Sequence, residues 1–439
     1  VRTDPATLRR PGGFRRLAIG LLVAAAGARA DVVVTTLEGT GPVRGISLTA
    51  DEKTVSVQTA AGTAAQVFTA QVVEIVTVPP PSAPPPAVCP FELELLDGSR
   101  LRGTLAAPAD ADLGEKVRLR SAVLFESVGS IDIPLDIVLA VRRADGTKMP
   151  GASRLVRMPG ADAAYWLSGS RVEGTLKAFT NAGVEIDRGN LGSDNIAYRD
   201  LAAVFLDNER KPLPDELRVV ARLADGSAVV LTRAFRVAAG QLHGETPGGV
   251  AVRIPTSRVA ALSFLGGSFV HLSDLDPVET KREPFFPLPE GPAAEATLDF
   301  LCPVRMDRSP DNNVITLGGQ RYFKGIGVRP RTELTFDLGG RFRTFETLCG
   351  IDDEVLGPGY GRGAGTGSVV FTVKVDGRVV KETEPVQGGK DPVAVKVTVE
   401  GAKTLTLVVS LVPPEKTPKG APDTPELDNA AWARPLLIR

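Results

Sequence analysis

The side chains that could do chemistry gather in Tyr322–Glu354, where Tyr322, Lys324 and Arg329 precede the acidic run Asp352-Asp353-Glu354. Three carboxylates in a loop can accept hydrogen bonds from the hydroxyls of a ligand, or supply oxygen ligands to a structural calcium. The plainer alternative is a solvated strand end, or a set of ion-pair partners for Arg341 or Arg343. Trp432 offers a π face on which a ligand ring could stack. Its alanine neighbours and the apolar strand after it equally suit a core residue. Tyr322, Lys324 and Arg329 fit a polar rim, or the exposed face of half-buried strands.

Other chemistries find little support. Of two histidines, His243 and His271, neither stands near a glycine-flanked serine that could act as a nucleophile. The three cysteines, Cys89, Cys302 and Cys349, have no close Cys/His neighbours of zinc-site spacing. Among 52 acidic residues none lies in a recognisable catalytic pair, so no enzyme is expected. The formal net charge of −1 supplies no field for a nucleic acid or an acidic membrane. No nucleic-acid partner is expected.

These residues must be positioned by strands. Glycine (46) and proline (35) are abundant, valine and threonine are frequent, and long amphipathic helical patterns are scarce. At 439 residues and 43% hydrophobic, the chain suits several globular domains.

At the N-terminus, Arg2, Arg9, Arg10, Arg15 and Arg16 lead into the apolar run Leu17 to Ala26 and then Ala28-Arg29-Ala30. That order predicts a signal peptide over residues 1–30, and hence a secreted, periplasmic or cell-envelope protein. No other run is apolar enough to span a bilayer, so no transmembrane segment is expected in the mature chain. Export permits disulfides. Cys302 and Cys349 could pair, leaving Cys89 over; both remaining reduced is equally open.

A short β pattern then repeats. Gly98-Ser99-Arg100-Leu101-Arg102-Gly103-Thr104-Leu105 recurs as Gly169-Ser170-Arg171-Val172-Glu173-Gly174-Thr175-Leu176, with looser copies at Asp225–Thr232 and Leu37–Leu48. Each copy continues through an alternating strand to a closing apolar strand, such as Leu201–Phe205 or Val259–Phe264. The copies resemble Sm-like or SH3-like small barrels. They are expected as units over 31–78, 91–148, 160–210 and 215–267, with a proline-rich linker at 79–90. Spacer or interaction module is their expected role.

From residue 268 onward the texture changes to sustained alternation, with a hairpin turn at Asp376-Gly377. Lys-Gly-Ile-Gly at 324–327, Phe-Asp-Leu-Gly-Gly at 336–340, Gly-Ile-Asp-Asp-Glu at 350–354, Gly-Ser-Val-Val-Phe at 367–371 and Asp-Asn-Ala-Ala-Trp-Ala-Arg-Pro at 428–435 follow in order. This succession resembles the NPCBM family of carbohydrate-binding modules over residues 268–439. The resemblance implies a galactose-binding-like jelly-roll β-sandwich that binds an extracellular polysaccharide or glycan. Arg329-Pro330 stands where the family commonly has His-Ala. Asn429, Ala431 and Arg434 stand where its closing motif has a histidine and two aspartates.

The expected fold is therefore all-β: an array of small barrels followed by a jelly-roll sandwich. The expected function is non-catalytic carbohydrate binding, with Asp352, Asp353, Glu354, Arg329, Asn429 and Trp432 as ligand-contacting candidates. No cofactor is expected beyond a structural calcium at the acidic run. The alternative is a structural or protein-interaction role in the cell envelope, with envelope proteins as partners and sugar binding lost.

Overall fold

A computed structural model describes residues 32–37, 42–59, 61–77, 91–108, 115–121, 124, 129–145, 155, 160–209, 217–232, 235–284, 287–288, 293–357, 367–413 and 428–439. The expected signal peptide, the proline-rich linker and Cys89 fall outside these residues, as do the stretches 358–366 and 414–427 of the C-terminal part. Among the described residues no helix is long and apolar enough to cross a membrane.

Each repeat folds as an antiparallel meander whose last strand returns to pair with its first. In the second unit, Phe91–Leu95 pairs with Arg100–Ala106 and, on its other edge, with Val138–Arg143. In the third, Asp162–Trp166 lies between Arg171–Phe179 and Leu201–Phe205. The hairpin after the first strand is set by local chemistry. Gly98, Gly169 and Gly226 all adopt positive φ, and the Asp97 and Asp225 carboxylates accept from the N–H of Ser99 and Ser227 at 2.7 and 2.8 Å.

A second glycine bends the long strand that follows. A Cβ on Gly103 would sit 2.2 Å from the carbonyl oxygen of Arg120, and one on Gly174 would sit 2.2 Å from that of Asp187. Only glycine lets the crossing strand come so close. The fourth copy has Leu231 at the corresponding place, and there the strand Ala228–Leu231 ends, pairing resuming at Arg236–Ala238.

The four units do not sit as beads on a string. Val72–Thr77 of the first pairs with Val259–Leu265 of the fourth, with Ile75 opposite Leu262. Val138–Arg143 of the second pairs with Leu201–Phe205 of the third, with Val141 opposite Val204. Ala228 of the fourth meets Arg100 of the second, and Val237 of the fourth meets Ala50 of the first. The sheet thus runs third, second, fourth, first. Closing strands sandwiched this way are covered on both faces, which is why Leu201–Phe205 is apolar at every position and buried throughout. One hydrophobic core, from Val34 to Phe269, runs through all four units and takes in Leu436 near the end of the chain.

The C-terminal part is a β-sandwich of two facing sheets. One has the order Val304–Met306, Gly325–Val328, Ala430–Ile438, Thr344–Ile351, Val393–Thr398, with Phe269–His271 added along the final strand. The other has Glu279–Arg282, Thr332–Asp337, Thr404–Leu411, Ser368–Val375 and Arg378–Glu382, with Val386–Gln387 alongside. Phe336, Phe345, Phe371 and Trp432 fill the space between them. Asp376 and Gly377 both take positive φ, as a two-residue type I′ hairpin requires.

The helix Ala293–Leu301 departs from the strand-and-loop expectation for its stretch. Alanine, glutamate and leucine are strong helix formers, and Pro292 and Pro303 bound the segment without entering its interior. Cys302 and Cys349 are both buried and unpaired, so the two are not a disulfide in this structure.

Candidate functional site

Strand register brings the candidate residues to one end of the sandwich. Ala430 on the final strand pairs with Val328 on one side and Ile351 on the other. The next residues outward, Asn429, Arg329 and Asp352, are therefore neighbours although the sequence scatters them. Asp352 then caps the 3-10 turn Asp353–Leu356, accepting from the Glu354 N–H.

A continuous polar chain results. Arg329 donates from Nη2 to Asp311 Oδ1 at 2.9 Å and from Nε to Asn429 Oδ1 at 3.1 Å. Its Nη1 donates to the Phe300 carbonyl at 3.0 Å, so a cation closes the C-terminal end of the helix Ala293–Leu301. Asn429 donates from Nδ2 to Glu354 Oε1 at 2.7 Å. The other Glu354 oxygen accepts from Ser309 Oγ at 2.7 Å and Asn313 Nδ2 at 2.9 Å.

The remaining carboxylates are held by backbone. Asp352 accepts from the N–H groups of Glu354 at 3.0 Å and Thr316 at 2.9 Å, one on each oxygen. Asp353 accepts from Gly318 at 3.2 Å and Gly319 at 2.6 Å, again one on each. Every carboxylate oxygen of the acidic run thus faces an N–H or O–H donor. A cation placed there would meet the positive ends of those dipoles, so the set does not suit calcium. Among the described residues there is no group of three or more His, Cys, Asp or Glu side chains that could hold a metal ion. Arg341 and Arg343 are not the partners of this run. Burial pushes the Asp352 carboxyl up to about 7, with the neighbouring Glu354 and Asp353 charges adding to that and the two N–H bonds opposing it.

Trp432 requires a correction. Its ring is 1% exposed and packs edge-to-face on Phe371 with centroids 4.9 Å apart. It has no open face for a sugar, because its position in the final strand points it between the two sheets. The substituted positions of the closing motif also separate. Asn429 lies in the polar chain, while Ala431 packs with Ile315 and Tyr322, and Arg434 donates its N–H to the Lys324 carbonyl at 2.8 Å.

The glycines of Lys-Gly-Ile-Gly have a steric reason. A Cβ on Gly325 would sit 2.8 Å from the Trp432 carbonyl oxygen, and one on Gly327 only 2.3 Å from that of Arg308. The segment after Arg308 carries Ser309, Asp311 and Asn313, three members of the polar chain that the sequence reading missed. Their signal was the turn-forming run Ser309-Pro310-Asp311-Asn312-Asn313, in which Ser309 Oγ accepts from the Asn313 N–H and Asn312 takes positive φ.

Lys324 and Tyr322 are not a rim. Lys324 is buried and its Nζ donates to Asp307 at 2.6 Å and to Asp274, while Tyr322 is 3% exposed.

Fold and site together define an all-β chain that ends in a β-sandwich with a polar cluster at one sheet end. Residues 288–437 match the model of the NPCBM/NEW2 domain. No curated protein matches the chain. Among solved structures, it is similar to a CBM51 of Clostridium perfringens GH95 in complex with methyl-galactose. The identity there is 26% over 39% of this chain and 99% of that one, with a TM-score of 0.28. It is also similar to CBM51-2 in complex with GlcNAc and INT domains from Clostridium perfringens ZmpB, at 21% identity, 45% and 36% coverage and a TM-score of 0.29. Tandem CBM51 modules of a family 98 glycoside hydrolase from Streptococcus pneumoniae align at 13% identity, 87% coverage of each chain and a TM-score of 0.28.

Proposed function

We propose that this is an exported, non-catalytic protein that binds a polysaccharide or glycan outside the cytoplasm through the end of its sandwich. The observation that carries this reading is the polar chain Asp311–Arg329–Asn429–Glu354–Asn313. A sugar presents adjacent hydroxyls that donate and accept together, and this chain alternates acceptors with donors in one small area. Asn313 is exposed, and Asp311, Arg329 and Glu354 are half-buried, so the network reaches the surface. Asp311 Oδ1 and Glu354 Oε1, each bonded to one protein donor, keep a second lone pair for a hydroxyl. Asp352 and Asp353 serve by holding the 316–319 backbone in place. The small units, in this reading, form the platform that carries the sandwich.

A glycan array probed with the full chain, with and without calcium, tests it. Binding that weakens on Asn313→Ala or Asp311→Ala supports the reading. No binding to any glycan overturns it and favours the structural envelope role. Release of new reducing ends from a bound glycan would contradict the non-catalytic assignment. Export is tested by mass spectrometry of the protein from its native cell, where an N-terminus following Ala30 is expected and an intact leader in the cytosol would contradict it.

A further inference from the structure

A cavity of about 470 Å³ lies between the first and fourth units, but a larger one, about 770 Å³, opens where the second and fourth units meet the sandwich. Its size is that of a ligand pocket, ~300–1,000 Å³. Arg100, Arg218 and Arg222 line it from the small units, and Lys324, Arg341 and Arg439 from the sandwich. The acidic groups facing them are Asp97, Asp274 and Asp307. Two of these are already engaged, since Asp274 and Asp307 both bond Lys324. Arg222 lies 3.8 Å from Asp307 and donates to a backbone carbonyl, and Arg100 and Arg218 form no ion pair with a described residue. The cavity wall is therefore cationic beyond its own compensation.

Four buried polar atoms of lining residues have no protein partner: Arg218 Nε, Arg222 Nε, Asp97 Oδ2 and His271 Nδ1. His271 is 1% exposed, and its Nε2 lies 3.2 Å from the Phe264 carbonyl oxygen. A carbonyl only accepts, so Nε2 carries the hydrogen and Nδ1 presents a lone pair. Burial, with the Lys324 charge, brings its pKa down to about 4, so the ring is neutral at neutral pH. Burial and the Arg100 charge likewise hold the Arg222 guanidinium below its usual range. Guanidinium groups in excess of their carboxylate partners are complemented by an oxyanion, which accepts from their remaining N–H groups.

We propose that this junction cavity binds an acidic saccharide, a sugar whose carboxylate meets the guanidinium groups of Arg100, Arg218 and Arg222. The choice of a sugar rests on the carbohydrate-binding reading above; the requirement for an oxyanion follows from the arginines alone. The site shares no residue with the polar chain at the other end of the sandwich, so the two can be tested separately.

Isothermal titration of the full chain with oligogalacturonate, the matching neutral oligosaccharide, a sulfated oligosaccharide and inorganic sulfate provides the test. Oligogalacturonate is expected to bind saturably, at least tenfold tighter than its neutral counterpart, and to weaken as salt rises. Arg218→Gln should weaken it at least tenfold, and Asn313→Ala should leave it unchanged. Arg100→Gln, at an exposed position, serves if Arg218→Gln fails to fold. Tighter binding of the sulfated oligosaccharide, lost in the same variants, would overturn the carboxylate assignment. Inorganic sulfate binding as tightly as either sugar would overturn the saccharide. No acidic-sugar binding, or binding indifferent to both arginine variants, would overturn the site. Neutral-glycan binding sensitive to Asn313→Ala would in that case leave the function proposed above standing.

Discussion

Arg222 in the fourth small unit donates from Nη2 to the carbonyl oxygen of Phe323 in the sandwich at 3.0 Å, and its guanidinium lies over the ring of the same residue, 5.3 Å from the centroid. One side chain thus grips both the backbone and the ring of the residue just before the buried Lys324. Phe323 packs in turn on Ala260 and Ala261 of the fourth unit's closing strand. Small units and sandwich are joined by packing and by charge, and not by the chain alone.

Replacing Arg222 with alanine should therefore loosen that joint. A charge-assisted hydrogen bond and a partly desolvated cation–π contact are together worth about 2–3 kcal/mol. Urea denaturation of the wild type is expected to show one cooperative transition. In Arg222→Ala the sandwich and the small units should separate into two, and two transitions already in the wild type would show that the joint does not couple them.

Gly327→Ala should harm both stability and binding. The new Cβ would press on the backbone of Arg308, Ser309 and Pro310, which cannot retreat as a flexible side chain can. Overpacking of this kind costs about 1–3 kcal/mol. Displacing Ser309 removes one of the donors to Glu354, so glycan affinity should fall along with the melting temperature. A variant with wild-type values for both would rule out the steric account of this motif.

Trp432→Phe separates core from platform. A smaller ring at a fully buried site should lower stability by about 1–3 kcal/mol, as lost packing does. Glycan affinity measured well below the melting temperature should stay unchanged. Acrylamide should quench Trp166 and spare Trp432, and the reverse pattern would return Trp432 to the ligand-binding set.

Stability should fall as pH rises from about 4.5 to 7. Burial lifts Glu74 from 4.5 to about 7 against the opposing Arg434 and Arg222 charges, and lifts Asp352 from 3.8 to about 7. In that window the folded chain holds protons that the unfolded chain has released, so folding weakens with rising pH. The Glu74 shift corresponds to roughly 3 kcal/mol. His271 acts in the opposite sense: its lowered pKa supports the fold above 6.5, and that support is lost as pH falls towards 4. Glu74→Gln should flatten the decline and gain stability at pH 8, as read from denaturant midpoints across the range. An unchanged pH profile in that variant would contradict the assignment.

Much of this architecture was legible in the sequence because it rests on local rules. The Asp-Gly-Ser turns, the Asp376-Gly377 hairpin and the alternating strands depend on φ preferences and on a two-residue period, and neighbouring residues carry both. The ordered motifs from Lys324 to Pro435 pointed to the sandwich through their resemblance to the NPCBM family, and the sustained alternation agreed with it. The helix Ala293–Leu301 is a single short segment in an otherwise alternating stretch, too short for its period to stand out. Other features depended on which strands lie side by side. Arg329 and Asn429 meet because Val328 and Ala430 are in register, a relation between strands about a hundred residues apart. The same register turns Trp432 inward and away from any ligand. The joining of the small units edge to edge, and the cationic cavity at their junction, follow from backbone hydrogen bonds and side-chain contacts across distant strands, which carry no local sequence signature.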